Sequence, residues 1–193
     1  HVQPHIAANP QPPNRPRQAP ACETTAGWPN NMILFLDFDG VLHPVGSTER
    51  DYFCCLPLLE RFLTEDAPGW RIVISSSWRE YFALDLLRQH FSPGIRERID
   101  GCTPCDGDRH LNATWGAQAS LYPREIQIRH YLAKRSLPTS DWIALDDHGD
   151  WFRDASANPH LVLTDPATGL NEDTIARLSH IKTHGIPQRV HAR

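Results

Sequence analysis

The run MILFLDFDG, residues 32–40, constrains this chain more than any other segment. Its apolar residues do not alternate with polar ones, as in a strand covered on both faces of a parallel sheet, and it ends abruptly in carboxylates. WRIVIS (70–75), DWIALD (141–146) and HLVLTD (160–165) repeat that form, and a shorter strand is expected near 98–101. Between them lie segments with helical spacing: 51–64 with Leu56, Leu59 and Leu63, 78–90 with Phe82, Leu86 and Leu87, then 125–134 and 171–180. Pro57 marks a first helical turn. Residues 101–122, rich in Gly, Asp and Asn, read as a long loop. Strands alternating with helices predict right-handed βαβ units. The expected fold is therefore α/β, a Rossmann-like three-layer sandwich with a mainly parallel central sheet.

Composition bounds the rest. The chain has 193 residues, 17 of them proline, and a formal charge of −4. Seven prolines fall in the first 30 residues, where apolar periodicity is almost absent. We therefore expect a flexible proline-rich tail over 1–31, a domain over 32–182 and a C-terminal tail over 183–193. Arg15 and Arg17 against Glu23 leave the remainder at −5, which opposes a broad electrostatic grip on nucleic acid but not a local basic groove. No apolar run approaches the roughly 18 residues of a membrane-spanning helix, so no membrane association is expected. Five cysteines, at 22, 54, 55, 102 and 105, lack the rhythm of a disulfide scaffold, which points to a reducing cytoplasm. Cys54 and Cys55 read as small buried hydrophobes. Cys102 and Cys105 have zinc-knuckle spacing but no second pair.

Ligands of open α/β sheets bind at the carboxyl ends of the strands. The first strand ends in Asp37-Phe38-Asp39-Gly40. Residues two apart share a face, so both carboxylates can meet one ligand, and Gly40 lets the chain turn sharply. The second ends in Ser75-Ser76-Ser77, and Ser77 with Glu80 has capping-box spacing, which opens helix N–H groups to a phosphate oxygen. The fourth ends in Asp146-Asp147. Four carboxylates at neighbouring strand tips repel one another unless some are protonated or a cation lies between them. Oxygen ligands suit a hard divalent ion, and Mg²⁺ accompanies phosphate substrates. Solvated acidic turns would explain Asp37 and Asp39 alone. The serine cluster and the second acidic pair, in order at strand ends, tell against that.

ILFLDFDGVLHP (33–44), VISSSWRE (73–80) and WIALDD (142–147) resemble the first, second and fourth motifs of the haloacid dehalogenase-like (HAD) phosphohydrolase superfamily. The strings DFDGVLHP, ISSSWR, ALDD and LVLTDPATGL resemble a small capless group related to the HAD domain of Swiss Army Knife RNA repair proteins. The resemblance extends over residues 32–180. It implies that Asp37 is a nucleophile forming an aspartyl-phosphate, and that Asp39 protonates the leaving oxygen and then activates water. It also implies Mg²⁺ held by Asp37, the Asp39 main-chain carbonyl, and Asp146 or Asp147. Ser75 or Ser76 would bind the phosphoryl group, with Gly40 at the phosphate-binding turn. For the family's basic residue Arg124 fits best, with Arg129 and Lys134 as alternatives. Arginine departs from the commoner lysine: it can contact two oxygens but gives up no proton.

Other residues stay open. His43-Pro44 reads as a structural turn or as a neighbour of the leaving group, and Arg79 as a packing residue or a substrate contact. The interval between Asp39 and Trp70 is too short for a large cap, so an open site is expected. The leading expectation is a Mg²⁺-dependent phosphomonoester hydrolase acting on a phosphorylated substrate, with nucleic-acid termini as a candidate large substrate. A phosphatase of small nucleotides or sugar phosphates is the first alternative. A catalytically idle binding module is the second.

Overall fold

The computed structural model describes residues 32–105 and 109–187, and within them five parallel strands form one sheet in the order β3-β2-β1-β4-β5. The expected tail over 1–31 and residues 188–193 lie outside the described residues. The strands are β1 (Ile33–Leu36), β2 (Arg71–Ile74), β3 (Ile99–Cys102), β4 (Trp142–Asp146) and β5 (Leu161–Leu163). β1 is central, with Leu36 opposite both Ile74 of β2 and Leu145 of β4. The chain leaves β1 toward β3, then returns to β4 on the other side. That reversal places a topological switch point between β1 and β4.

Burial on both faces explains the unbroken apolar run. Leu34 and Leu36 join Leu59, Phe62 and Leu63 of α1 (Leu56–Glu65) and Leu178 of α7 (Glu172–His184) in one core. Ile33 and Phe35 point the other way, into a core with Ile128, Tyr131 and Leu132 of α6 (Pro123–Lys134). Phe35 meets Tyr131 and Trp142 edge-on at 5.6 and 5.9 Å. Three layers result, α7 and α1 on one side and α6 on the other.

Several elements differ from expectation. Residues 51–55 are turns, and α1 starts only at Leu56 with Pro57 in its first turn. The segment 78–90 is not one helix: a 3₁₀ turn (Ser77–Glu80) is separated from α2 (Leu84–Arg88) by Ala83, whose backbone is extended (φ −62°, ψ 147°). A one-turn α3 (Pro93–Arg96) follows. The region 101–122 carries β3 and two short helices, α4 (Arg109–Trp115) and α5 (Ala117–Leu121), rather than a continuous loop. Neither is a cap domain. Cys54 is exposed and Cys55 only half-buried, its Sγ 3.6 Å from the Thr168 carbonyl, because both sit in the turn before α1 rather than inside a helix.

Two arginines hold the strand ends. Arg79 is buried and donates to the carbonyls of Ser75 (2.7 Å), Ser76 (2.6 Å), Thr103 (3.2 Å) and Pro104 (3.0 Å), and to Gln127 (2.8 Å). It is thereby committed to joining the tip of β2 to the segment after β3. Arg98 does the same at the opposite end, donating to the carbonyls of Leu63, Ala67 and Trp70.

Candidate active site

The acidic residues meet where β1 and β4 end. Asp37 directly follows β1, and its main-chain N–H still pairs with the Leu145 carbonyl at 3.1 Å, so the sheet holds its backbone. Its Oδ1 accepts from the Phe38 N–H at 2.8 Å. Asp146 is the last residue of β4 and is fully buried; its Oδ1 accepts from the His148 N–H at 2.9 Å, while Oδ2 has no hydrogen-bond partner. Asp147 pairs with His148 Nδ1 at 2.6 Å. Asp37, Asp146, Asp147 and His148 each offer one ligand atom within 4.8 Å of the others. Asp150 lies outside this group and is exposed.

Arg124 enters the group from the first turn of α6 and is itself buried. Its Nη2 stands 3.4 Å from Asp37 Oδ2 and its Nη1 3.6 Å from Asp146 Oδ2. Nη1 also donates to the Ser75 carbonyl, and the guanidinium lies over the Trp151 ring at 5.1 Å. Three carboxylates against one guanidinium leave the cluster negative. Burial, then the Asp37 charge, push the Asp146 carboxyl up to about 7 despite Arg124. Burial also raises Asp147, against the opposing pull of His148. This donor set fits a hard divalent cation. It combines excess negative charge, carboxylate oxygens from two strand tips and a buried oxygen lacking a hydrogen bond.

Gly40 permits the close approach. It has φ +67°, and a Cβ there would stand 2.3 Å from Asp147 Oδ2. Its carbonyl accepts from Thr164 Oγ1 at 2.7 Å, which ties the turn to the residue after β5. Thr164 lies within LVLTDPATGL, one of the strings that carry the resemblance, although no role was expected of it.

Asp39 does not bring its carboxylate into the acidic group. The strand conformation stops at Leu36, so the same-face spacing of two residues no longer applies. Asp39 Oδ2 instead accepts from Trp78 Nε1 at 2.9 Å, and Oδ1 lies 3.1 Å from His43 Nε2. His43, expected as a turn residue or a neighbour of the leaving group, is fully buried.

The serines separate by partner. Ser76, rather than Ser77, caps the 3₁₀ turn, accepting from the Trp78 N–H at 3.3 Å. Ser75 is buried and its Oγ has no hydrogen-bond partner. The β1–β2 register, continued one residue past Leu36 and Ile74, sets Ser75 beside Asp37. Arg129 pairs with Glu125 at 2.7 Å and is half-buried, and Lys134 is exposed at the far end of α6; neither reaches the carboxylates. Trp151 is a site residue that the sequence did not reveal. Its ring stacks on His148 at 4.0 Å, and only the fold brings it to Arg124.

The family model described as the HAD domain in Swiss Army Knife RNA repair proteins matches residues 33–175. No curated protein and no solved structure matches the chain. Among the described residues no helix is long and apolar enough to cross a membrane.

Proposed function

The chain belongs to the family of HAD domains in Swiss Army Knife RNA repair proteins, and from that premise we propose that it hydrolyses phosphomonoesters through an aspartyl-phosphate with Mg²⁺ as cofactor. Family membership implies phosphohydrolase chemistry. The observation that carries the specific reading is the cluster of Asp37, Asp146 and Asp147 around Arg124, with one oxygen of Asp146 lacking a hydrogen bond.

In this reading an Asp37 carboxylate oxygen attacks phosphorus. The bond to the leaving oxygen breaks, and that oxygen takes a proton from Asp39. Asp39, now a carboxylate, removes a proton from water as the water oxygen attacks phosphorus. The bond to Asp37 breaks, and inorganic phosphate leaves. Asp37, Asp146 and Asp147, with the Asp39 carbonyl, would hold Mg²⁺, which offsets the charge of a phosphate approaching an anionic nucleophile. Arg124 supplies a fixed fork of donors for phosphoryl oxygens, and Ser75 Oγ, buried without a partner, supplies another. The Gly40 turn contributes by leaving room for Asp147.

We assign a large substrate to the site, with nucleic-acid ends as the leading case. Among the described residues no cap domain follows either β1 or β3, which supports an open site. The free Cys54, Cys55, Cys102 and Cys105 suit a reducing cytoplasm.

The primary test is turnover of an aryl phosphate with Mg²⁺ or with a chelator, beside Asp37→Asn. Activity should require the metal and vanish in the variant. Turnover that survives Asp37→Asn would overturn the mechanism. A 3′-phosphorylated oligonucleotide, a 5′-phosphorylated one and a mononucleotide then separate large from small substrates. Much faster mononucleotide turnover would favour the small-molecule alternative.

A further inference from the structure

The turn after β1 buries a histidine that the reaction above leaves unused. His43 has no exposed surface, and its two ring nitrogens face different partners. The Phe53 N–H donates to Nδ1 at 3.4 Å, and Nε2 lies 3.1 Å from Asp39 Oδ1. A nitrogen that accepts carries no proton, so the neutral ring keeps its proton on Nε2 and donates it to Asp39. The ring is walled by Tyr52, Phe53 and Trp78, at centroid distances of 4.8, 5.6 and 5.9 Å. Trp78 serves twice, since its Nε1 also donates to the other oxygen of Asp39.

Asp39 therefore differs from Asp37 and Asp146. Sheet pairing holds the backbone at those two, whereas Asp39 lies beyond the strand, in an isolated β-bridge with His43, and its side chain is 43% exposed. Its orientation depends on donors from two separate segments. Each carboxylate oxygen keeps a second lone-pair direction, so the group can still carry the transferred proton.

We propose that His43 is a positioning residue which, together with Trp78, locks Asp39 in the orientation that delivers its proton to the leaving oxygen. The proposal rests on the reading of Asp39 as the general acid. A general acid contributes about 10²–10⁴-fold, and only to leaving groups that need a proton. Misorientation therefore slows an alkyl phosphate, whose alkoxide is a poor leaving group, far more than 2,4-dinitrophenyl phosphate, whose phenolate departs unaided.

The experiment compares these two substrates with the full chain and with Asp39→Asn, His43→Leu and His43→Gln. The ratio of the two rates does not depend on how much of a variant is folded, so loss of stability cannot imitate the effect. His43→Leu should lose about ten times more activity, or greater, on the alkyl ester than on the dinitrophenyl ester. His43→Gln, whose amide N–H can reach Asp39, should recover most of that difference. Equal losses on both substrates in His43→Leu, or no recovery in His43→Gln, would overturn the proposal. If Asp39→Asn itself shows no selective loss, the acid assignment fails and the positioning role fails with it. A selective loss in Asp39→Asn but not in His43→Leu overturns the positioning role alone. Should His43→Leu not fold, Trp78→Phe removes the donor to the other oxygen while keeping a ring. A selective loss there supports the proposal, and an equal loss overturns it.

Discussion

At Gly40 two independent constraints coincide. The backbone is left-handed, and the space a side chain would occupy holds the Asp147 carboxylate. Gly40→Ala should cost about 1–2 kcal/mol in backbone strain alone. It should also displace Asp147, so that Mg²⁺ raises the melting temperature less than it does in the unaltered protein. Thermal unfolding with and without Mg²⁺ reads both effects. Arg124 is the other decisive residue, because it is the cation placed between Asp37 and Asp146. Arg124→Met leaves buried carboxylates uncompensated, a change that typically costs about 3–5 kcal/mol. Denaturant unfolding should show this loss in the metal-free protein and partial recovery with Mg²⁺. Aryl phosphate turnover should fall about 10²–10³-fold, as when one preorganised donor is removed from a site of developing charge. Arg124→Lys should be intermediate, since it keeps the charge but not the fork. The family resemblance put Arg124 ahead of Arg129 and Lys134, and of the three it is Arg124 that stands beside Asp37 and Asp146. The roles of His43 and Trp78 toward Asp39 were not legible, because residues 39, 43 and 78 meet only through a turn and a crossover.

Among the elements, the strands were the most legible and the segment after β2 the least. β1 and β4 are buried on both faces, so their composition alone marks them, whereas the edge strand β3 exposes Asp100 and carries a weaker signal. The segment 78–90 has helical spacing, yet Ala83 breaks it, and Arg79 is drawn inward to the carbonyls of Ser75, Ser76, Thr103 and Pro104. Local periodicity yields there to the buried carbonyls' demand for donors. The serine strip followed the same logic: the capping hydroxyl is Ser76, because the 3₁₀ turn starts at Ser77 itself. At α7 the expected start was one residue early, and Asn171 is the N-cap, accepting from the Thr174 N–H at 3.0 Å. Asn171→Ala should lower stability by about 1 kcal/mol, measurable as a lower melting temperature with aryl phosphate turnover unchanged from that of the unaltered protein.

For the whole molecule, the buried acidic cluster couples stability to pH and metal. In the metal-free protein Asp146 titrates near 7, while in the unfolded chain it titrates near its ordinary value of 3.8. Between these values the folded state holds a proton that the unfolded state has released, so stability falls as pH rises. Below the lower value the contribution is fully present, and above about 7 it is lost. Melting temperatures measured with a chelator should therefore fall more steeply from pH 4.5 to 7 than those of Asp146→Asn. An equally steep fall in that variant would refute the assignment. Added Mg²⁺ should restore stability most at pH 7 and above, where the carboxylate is free to bind it, by an amount that grows with the logarithm of metal concentration.

The sequence by itself determined the layers of this protein and the strand ends at which its acidic residues gather, because burial on both faces and abrupt polar termini are local signals. It also singled out Asp37, Asp146 and Asp147, and the family resemblance added Arg124; the fold gathers these residues at the switch point between β1 and β4. Only the tertiary structure decided which partners each polar atom meets. It turned Asp39 away toward His43 and Trp78, left Ser75 Oγ without a hydrogen bond, and brought Trp151 against Arg124. Those outcomes depend on contacts between segments distant in the chain, where the need to satisfy buried donors and acceptors overrides any local pattern.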